Sequence, residues 1–152
     1  MPKSKWNLNT IYISERLQES LRPLSRCAMT TVVAPMGYGK TTAVEWYLAE
    51  RAGAEAPYIV RISVYSGNLA IFWKSVQDAF ARAGFAFLRE YDCPTDGASG
   101  GLLIDDLCHA LTGEKSCYIF IDDFHLLTDK RAPGFLCALA GRLPPNVHLI
   151  LA

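Results

Sequence analysis

The sequence predicts an α/β fold, a parallel sheet with helices on both faces, and three observations lead there. Four short apolar runs read as strands: Met29 to Ala34, Tyr58 to Val64, Cys117 to Asp122 and Val147 to Ala152. The segments between them repeat apolar residues at helical spacing. A turn built on Gly37 and Gly39 joins the first strand to the helix after it.

Composition bounds what such a domain can do. The chain has 152 residues, 51% of them hydrophobic, and a formal net charge of +0, which allows one sizeable core in a soluble globular domain. Lys and Arg are scattered instead of gathered in a stripe, so nothing argues for direct DNA contact. Cys27, Cys93, Cys108, Cys117 and Cys137 are odd in number and lack paired metal-ligand spacing. They read as free, mostly buried thiols of a reducing cytosol. Met1 to Trp6 has no apolar stretch behind it, and no run approaches the length of a membrane span, which predicts a cytoplasmic protein with no membrane partner.

Taken in order, residues 1–28 lead into the domain proper at 29–152. Met29 to Ala34 is expected as a buried strand, and Thr41 to Ala52 as a helix with Val44, Tyr47 and Leu48 on one side. After the strand from Tyr58, Ile71 to Ala83 places Phe72, Val76, Ala79, Phe80 and Ala83 on one helical face. Glu90 to Gly101 is rich in turn formers and reads as a surface loop, an insertion and not a domain boundary. Leu103, Leu107, Ala110 and Leu111 mark a further helix. Pro133 suits the first position of a helix running to about Leu143, and Pro144-Pro145-Asn146 stops it before the last strand. Ending on a strand, the chain reads as a piece of a longer protein, incomplete at its C-terminus.

The chemistry gathers at two strand ends. Ala34-Pro35-Met36-Gly37-Tyr38-Gly39-Lys40-Thr41-Thr42 is a Walker A pattern with alanine in place of the first glycine. In such a loop, backbone N–H groups from Met36 to Thr41 curl around a β-phosphate at a helix N-terminus. Lys40 would reach the β and γ phosphates, Thr41 would give its hydroxyl to Mg²⁺, and Thr42 would bond the α-phosphate. Tyr118 to Ile121 is an apolar strand ending in Asp122 and Asp123. Ligands of open parallel sheets sit at the C-terminal strand ends, where the phosphate loop also lies. Asp122 is therefore the Walker B candidate, holding Mg²⁺ through water, and Asp123 takes the place of the water-activating acid. Alone, an Asp-Asp pair reads more readily as a turn or helix cap. Aspartate is one methylene shorter than the glutamate usual in additional-strand ATPases, which predicts slow hydrolysis.

His125 is the one histidine near this end, with a sensing or loop-positioning role weighed against a structural one. His109 and His148 receive no role. Arg131 and Arg142 follow the Walker B strand, and each fits a solvated helix face or the preceding turn as well as a phosphate contact.

Together, the loop from Ala34 to Thr42, Ser63-Val64-Tyr65-Ser66-Gly67-Asn68 with Phe72-Trp73, and Ile121-Asp122-Asp123-Phe124-His125-Leu126-Leu127 resemble a known family. It is the nucleotide-binding domain of the large ATP-binding LuxR-type (MalT-like, STAND-class) transcriptional regulators, and the resemblance covers nearly the whole chain. It implies a P-loop NTPase of the additional-strand type, truncated after its sensor strand. The strand at Val147 would lie between the first and third, and a fifth beyond the first; without the fifth, an apolar edge is exposed. Asn9 to Leu17 would help hold the adenine. The chain departs from the family at Met36 and at Tyr65-Ser66-Gly67, where an acidic stretch usually precedes the Asn.

The function so implied is an ATP/ADP- and Mg²⁺-binding regulatory switch, at most a slow ATPase. In the ATP state it would self-associate through the full-length protein and reach DNA only through C-terminal domains. The alternatives are a turnover ATPase of AAA-like type or another P-loop phosphotransferase, and an inactive P-loop scaffold.

Overall fold

The structure, a computed structural model, describes residues 15–33, 39–94 and 97–152, with the side chain of Leu17 left aside. Four strands form one sheet: β1 (Met29–Thr31), β2 (Tyr58–Ser63), β3 (Cys117–Asp122) and β4 (Val147–Leu151). All pairings are parallel and the order is β1-β4-β3-β2. The last strand in sequence thus lies between the first and the third. Five helices accompany them: α1 (Glu15–Leu21), α2 (Lys40–Glu55), α3 (Leu69–Arg82), α4 (Gly97–Leu111) and α5 (Arg131–Ala140).

Alternation along β3 sorts the core into two layers, because successive side chains of a strand point to opposite faces. Tyr118 and Phe120 pack with Leu21 of α1 and with Val44, Tyr47 and Leu48 of α2. Cys117, Ile119 and Ile121 pack with Phe72 and Phe80 of α3, with Leu103 and Leu107 of α4, and with Leu136 of α5. β3 and β4 are buried along nearly their whole length, as the central strands of a sheet covered on both faces should be.

β1 departs from its expectation. It is three residues long, from half-buried to exposed, and Val33 beyond it is 85% exposed. Among the described residues it pairs on one side only, with β4, and the edge position is the reason. The ladder continues one bond further, Val32 N–H donating to the Leu151 carbonyl at 2.7 Å.

Other boundaries also shift. Gly97 to Gly101, expected in a loop, are the first turn and more of α4. Glycine weakens a helix locally, but Gly100 is buried with the Phe135 ring 3.6 Å from where its Cβ would be, so packing outweighs propensity. α5 begins two residues before Pro133, since Asp129 Oδ1 accepts the Arg131 backbone N–H at 2.9 Å. It ends at Ala140 instead of near Leu143, with the Gly141 N–H returning to the Cys137 carbonyl at 3.1 Å. Ala110 is exposed, and Ile104 is buried in its stead. All five thiols are free, but only Cys117 is buried; Cys27 and Cys137 are exposed. Burial pushes the Cys117 thiol up to about 12, so it stays protonated and inert. Among the described residues no helix is long and apolar enough to cross a membrane.

The α2 layer is tied by hydroxyls. Ser25 Oγ bonds the hydroxyls of Tyr47 and Tyr118, the latter at 2.8 Å, and the Tyr118 hydroxyl donates to Glu55 Oε1 at 3.2 Å. Burial is the main cause pushing the Tyr118 phenol up. Buried His148 stacks on Tyr118 at 5.4 Å between ring centroids, its Nδ1 at 2.9 Å from the Cys27 carbonyl. A polar residue in a buried strand is tolerated because its ring nitrogen is paired.

Candidate functional site

Parallel pairing brings the C-terminal ends of all four strands to one edge. Ser63 of β2 is the register partner of Asp122, and Leu151 of β4 is the partner of both Thr31 and Ile121. α2 starts at that same edge. Gly39 sits in the left-handed region at φ 72, a conformation glycine adopts without strain, and its carbonyl takes the Ala43 N–H at 2.9 Å to open the helix. The first N–H groups of α2 have no intrahelical acceptor, and helix geometry aims them outward at this edge.

Thr41 and Asp122 meet here, although 81 positions separate them in sequence: Thr41 Oγ1 donates to Asp122 Oδ1 at 2.8 Å. The same Oδ1 accepts the Asp123 backbone N–H at 3.0 Å. Two donors on one oxygen fix the carboxylate and leave Oδ2 for another partner. Asp123 follows at φ 57, a left-handed conformation that aspartate tolerates better than most side chains. Its side chain makes no capping bond, but its carbonyl accepts the Leu126 N–H at 3.0 Å, so the plain reading of this pair as a turn is met by the backbone. Among the described residues neither the Lys40 ammonium nor the Asp123 carboxylate is paired with another side chain.

Ala34, Pro35, Met36, Gly37 and Tyr38 lie outside the described residues, as do Asn9 to Ser14 of the expected adenine segment. Gly39, Lys40, Thr41, Thr42, Asp122 and Asp123 are all brought to the strand-end edge. His125 is exposed in a short 3-10 turn, Phe124–Leu126. Arg131 is held by both Asp129 oxygens, at 3.0 and 2.7 Å, and Arg142 by Asp105. Both arginines therefore have carboxylate partners of their own.

Two residues near this edge, named in the sequence only within the resemblance, have local roles that the reading did not assign. Asn68 caps α3, its Oδ1 accepting from Ala70 at 2.8 Å and Ile71 at 3.2 Å. Gly67 lies against Thr128 so closely that a Cβ would collide with the threonine hydroxyl. The Gly-Asn pair before an apolar helical run was the available signal for both.

Among the described residues no group of three or more His, Cys, Asp or Glu gathers as a metal cage. A hydroxyl beside a fixed carboxylate fits Mg²⁺ in another way. That ion keeps several waters and takes one or two protein oxygens together with phosphate oxygens. No protein-family model matches this chain, and no curated protein matches it.

Proposed function

We propose that this chain is the nucleotide-binding domain of a cytoplasmic regulatory switch of the LuxR type, a P-loop domain that takes ATP or ADP with Mg²⁺. The observation that carries the reading is the Thr41–Asp122 hydrogen bond. A Walker A threonine and a Walker B aspartate have to share one metal ion, and these two residues already touch. The strand order supports the additional-strand type, since β4 stands between β1 and β3.

In this reading the residues from Ala34 to Thr42 wrap the phosphates, with Lys40 reaching the β and γ oxygens. Thr41 would exchange its bond to Asp122 for a bond to Mg²⁺, and Asp122 would hold a water of that ion. Bound Mg²⁺ would neutralise charge on the phosphate oxygens during transfer. Asp123 would accept a proton from the attacking water. Its short side chain, on a backbone turned left-handed, supports a rate suited to a timer more than to turnover. The switch itself requires unequal nucleotide affinity in two conformations, since equal affinity shifts nothing. Self-association in the ATP state, and DNA contact, would belong to the full-length protein.

The turnover-enzyme reading gains nothing from Arg131 and Arg142, which among the described residues bond Asp129 and Asp105 and make no hydrogen bond to Thr41, Asp122 or Asp123. Binding and phosphate release in two variants test the proposal. Lys40→Ala should weaken nucleotide binding by about a hundredfold or more, the scale of losing a charge-assisted contact. Asp123→Asn should leave binding intact and remove hydrolysis. Full binding by the lysine variant would sink the site assignment.

A further inference from the structure

On the sheet face opposite α2, the helices α3, α4 and α5 cover the strands without filling all the space beneath them. They leave a cavity of about 460 Å³, floored by Ile62, Ile119, Ile121 and Leu149. Its size lies within the range of small-molecule sites. α4 contributes Gly97, Gly100 and Gly101 to the wall, three residues that weaken a helix and here keep the space open. A Cβ on Gly97 would meet nothing within 4 Å.

The wall is apolar with one exception. Among the described residues that line it, the only charged side chains are Arg131 and Arg142, and no carboxylate, carboxamide or hydroxyl joins them. Asp129 occupies Nε and Nη2 of Arg131, and Asp105 is bonded to Nη2 of Arg142, so each guanidinium keeps Nη1 donors. Arg142 Nη1 stands 3.9 Å from the Cβ position of cavity-lining Gly101. Burial pushes the lining Cys93 thiol up, while Arg131 lowers it and Asp129 raises it, so this ion pair acts on the wall with both signs.

A purely hydrophobic void suits a hydrocarbon, whereas a hydrophobic void with guanidinium donors at its wall suits an anionic head on an apolar body. We propose that this cavity is a second ligand site, for a small amphiphilic acid with an aliphatic or aromatic body and one carboxylate. The body lies over the isoleucine floor and the head meets the Arg142 Nη1 donors beside Gly101. Ile121 precedes Asp122, so the floor of this site runs directly into the strand end described above. The proposal does not depend on nucleotide binding there.

The test is calorimetric titration of the full chain with dodecanoate, dodecanol and dodecylammonium below their micelle concentrations, with Trp73, a wall residue, as fluorescent reporter. Saturable one-to-one binding of dodecanoate is expected, about tenfold tighter than dodecanol and with no measurable binding of the amine. Gly101→Leu fills the space with a better helix former and should lose binding while circular dichroism and the urea midpoint hold. Arg142→Gln, an exposed change, should bring dodecanoate to the dodecanol level. Absent or non-saturable dodecanoate binding, equal binding of the acid and the alcohol, or full binding by the folded Gly101→Leu protein would overturn the proposal.

Discussion

Tyr118 and Phe120 of β3 lie in a layer that α2 fills, whereas Ile119 and Ile121, their immediate neighbours in sequence, floor a cavity under α3, α4 and α5. One strand thus supports two kinds of packing. The closed side carries the hydroxyls of Ser25, Tyr47 and Tyr118 bonded to one another, which fixes α2 against β3. The proposed phosphate site would need such rigidity, because Thr41 at the start of α2 would have to meet Asp122 at the end of β3. Among the described residues the other side has no comparable hydroxyl cluster, its helix-to-strand tie being Asn146 Nδ2, which donates to the Leu111 carbonyl at 2.8 Å. Its other polar contacts run along the rim, for example from Trp73 Nε1–H and the Gln77 amide to the Tyr91 carbonyl, at 3.0 and 2.9 Å.

The sharpest way to break this comparison is to delete the same side chain from both layers. Leu48 of α2, fully buried against the sheet, and Leu103 of α4, 2% exposed at the cavity wall, are both leucines on helices. Leu48→Ala should cost about 4 kcal/mol by urea denaturation, because a new void opens in a packed layer. Leu103→Ala should cost about 2 kcal/mol, since a space already exists beside it and little new void is created. Equal losses would mean that the two layers are packed alike.

A smaller effect sharpens the closed side. Tyr118→Phe removes a buried hydroxyl bonded to Ser25 and Glu55, and should cost about 1–2 kcal/mol in the same assay. The cavity side should respond in the opposite direction to Gly100→Ala. Its Cβ would meet Phe135 and Pro94 at ordinary contact distances of 3.6 to 3.8 Å, so the variant should gain about 0.5–1 kcal/mol from helix propensity.

The weakest lever lies at the start of α5. Hydrogen bonds from the Arg131 side chain, and then from its backbone N–H, hold the Asp129 carboxyl down to about 2 from an ordinary 3.8. A carboxyl depressed in the folded state adds stability that is fully present above 3.8 and lost as pH falls through about 2. Both partners are solvent-facing, so the change in stability should be slight. Carboxyl NMR titration should place the Asp129 midpoint near 2, and Arg131→Gln should raise it toward 3.8.

Much of the closed side was legible in the residues themselves. Cys117 to Asp122 is bounded as expected because an unbroken apolar run ends sharply in two carboxylates. The helical face of Val44, Tyr47 and Leu48 is buried as expected. The position of β4 between β1 and β3 was not in the periodicity of any segment and came from resemblance alone. The cavity side was harder to read, for reasons that are physical. Gly97 to Gly101 has the local chemistry of a turn, yet it opens α4 with Gly100 packed against Phe135, a contact that the local sequence does not contain. A cavity is a property of three helices at once, so no window of sequence contains it. Met29 to Thr31 looks like a core strand by composition, but burial depends on neighbours, and among the described residues only β4 flanks it. The paired Thr41 and Asp122 are the exception, a long-range contact that motif chemistry anticipated.

The central claim is that Thr41 and Asp122 are held together to share a metal ion on a nucleotide. Its most direct test is calorimetric titration of the chain with ATP, ADP and GTP, with and without Mg²⁺, with phosphate release followed in the same samples. The wild-type protein should bind adenine nucleotides selectively, bind ATP more tightly with Mg²⁺, and release phosphate far more slowly than typical enzymes. Asp122→Asn should keep metal-free binding and lose the Mg²⁺ enhancement. An absence of ATP binding in the wild-type chain, or an unchanged Mg²⁺ dependence in Asp122→Asn, would contradict the account.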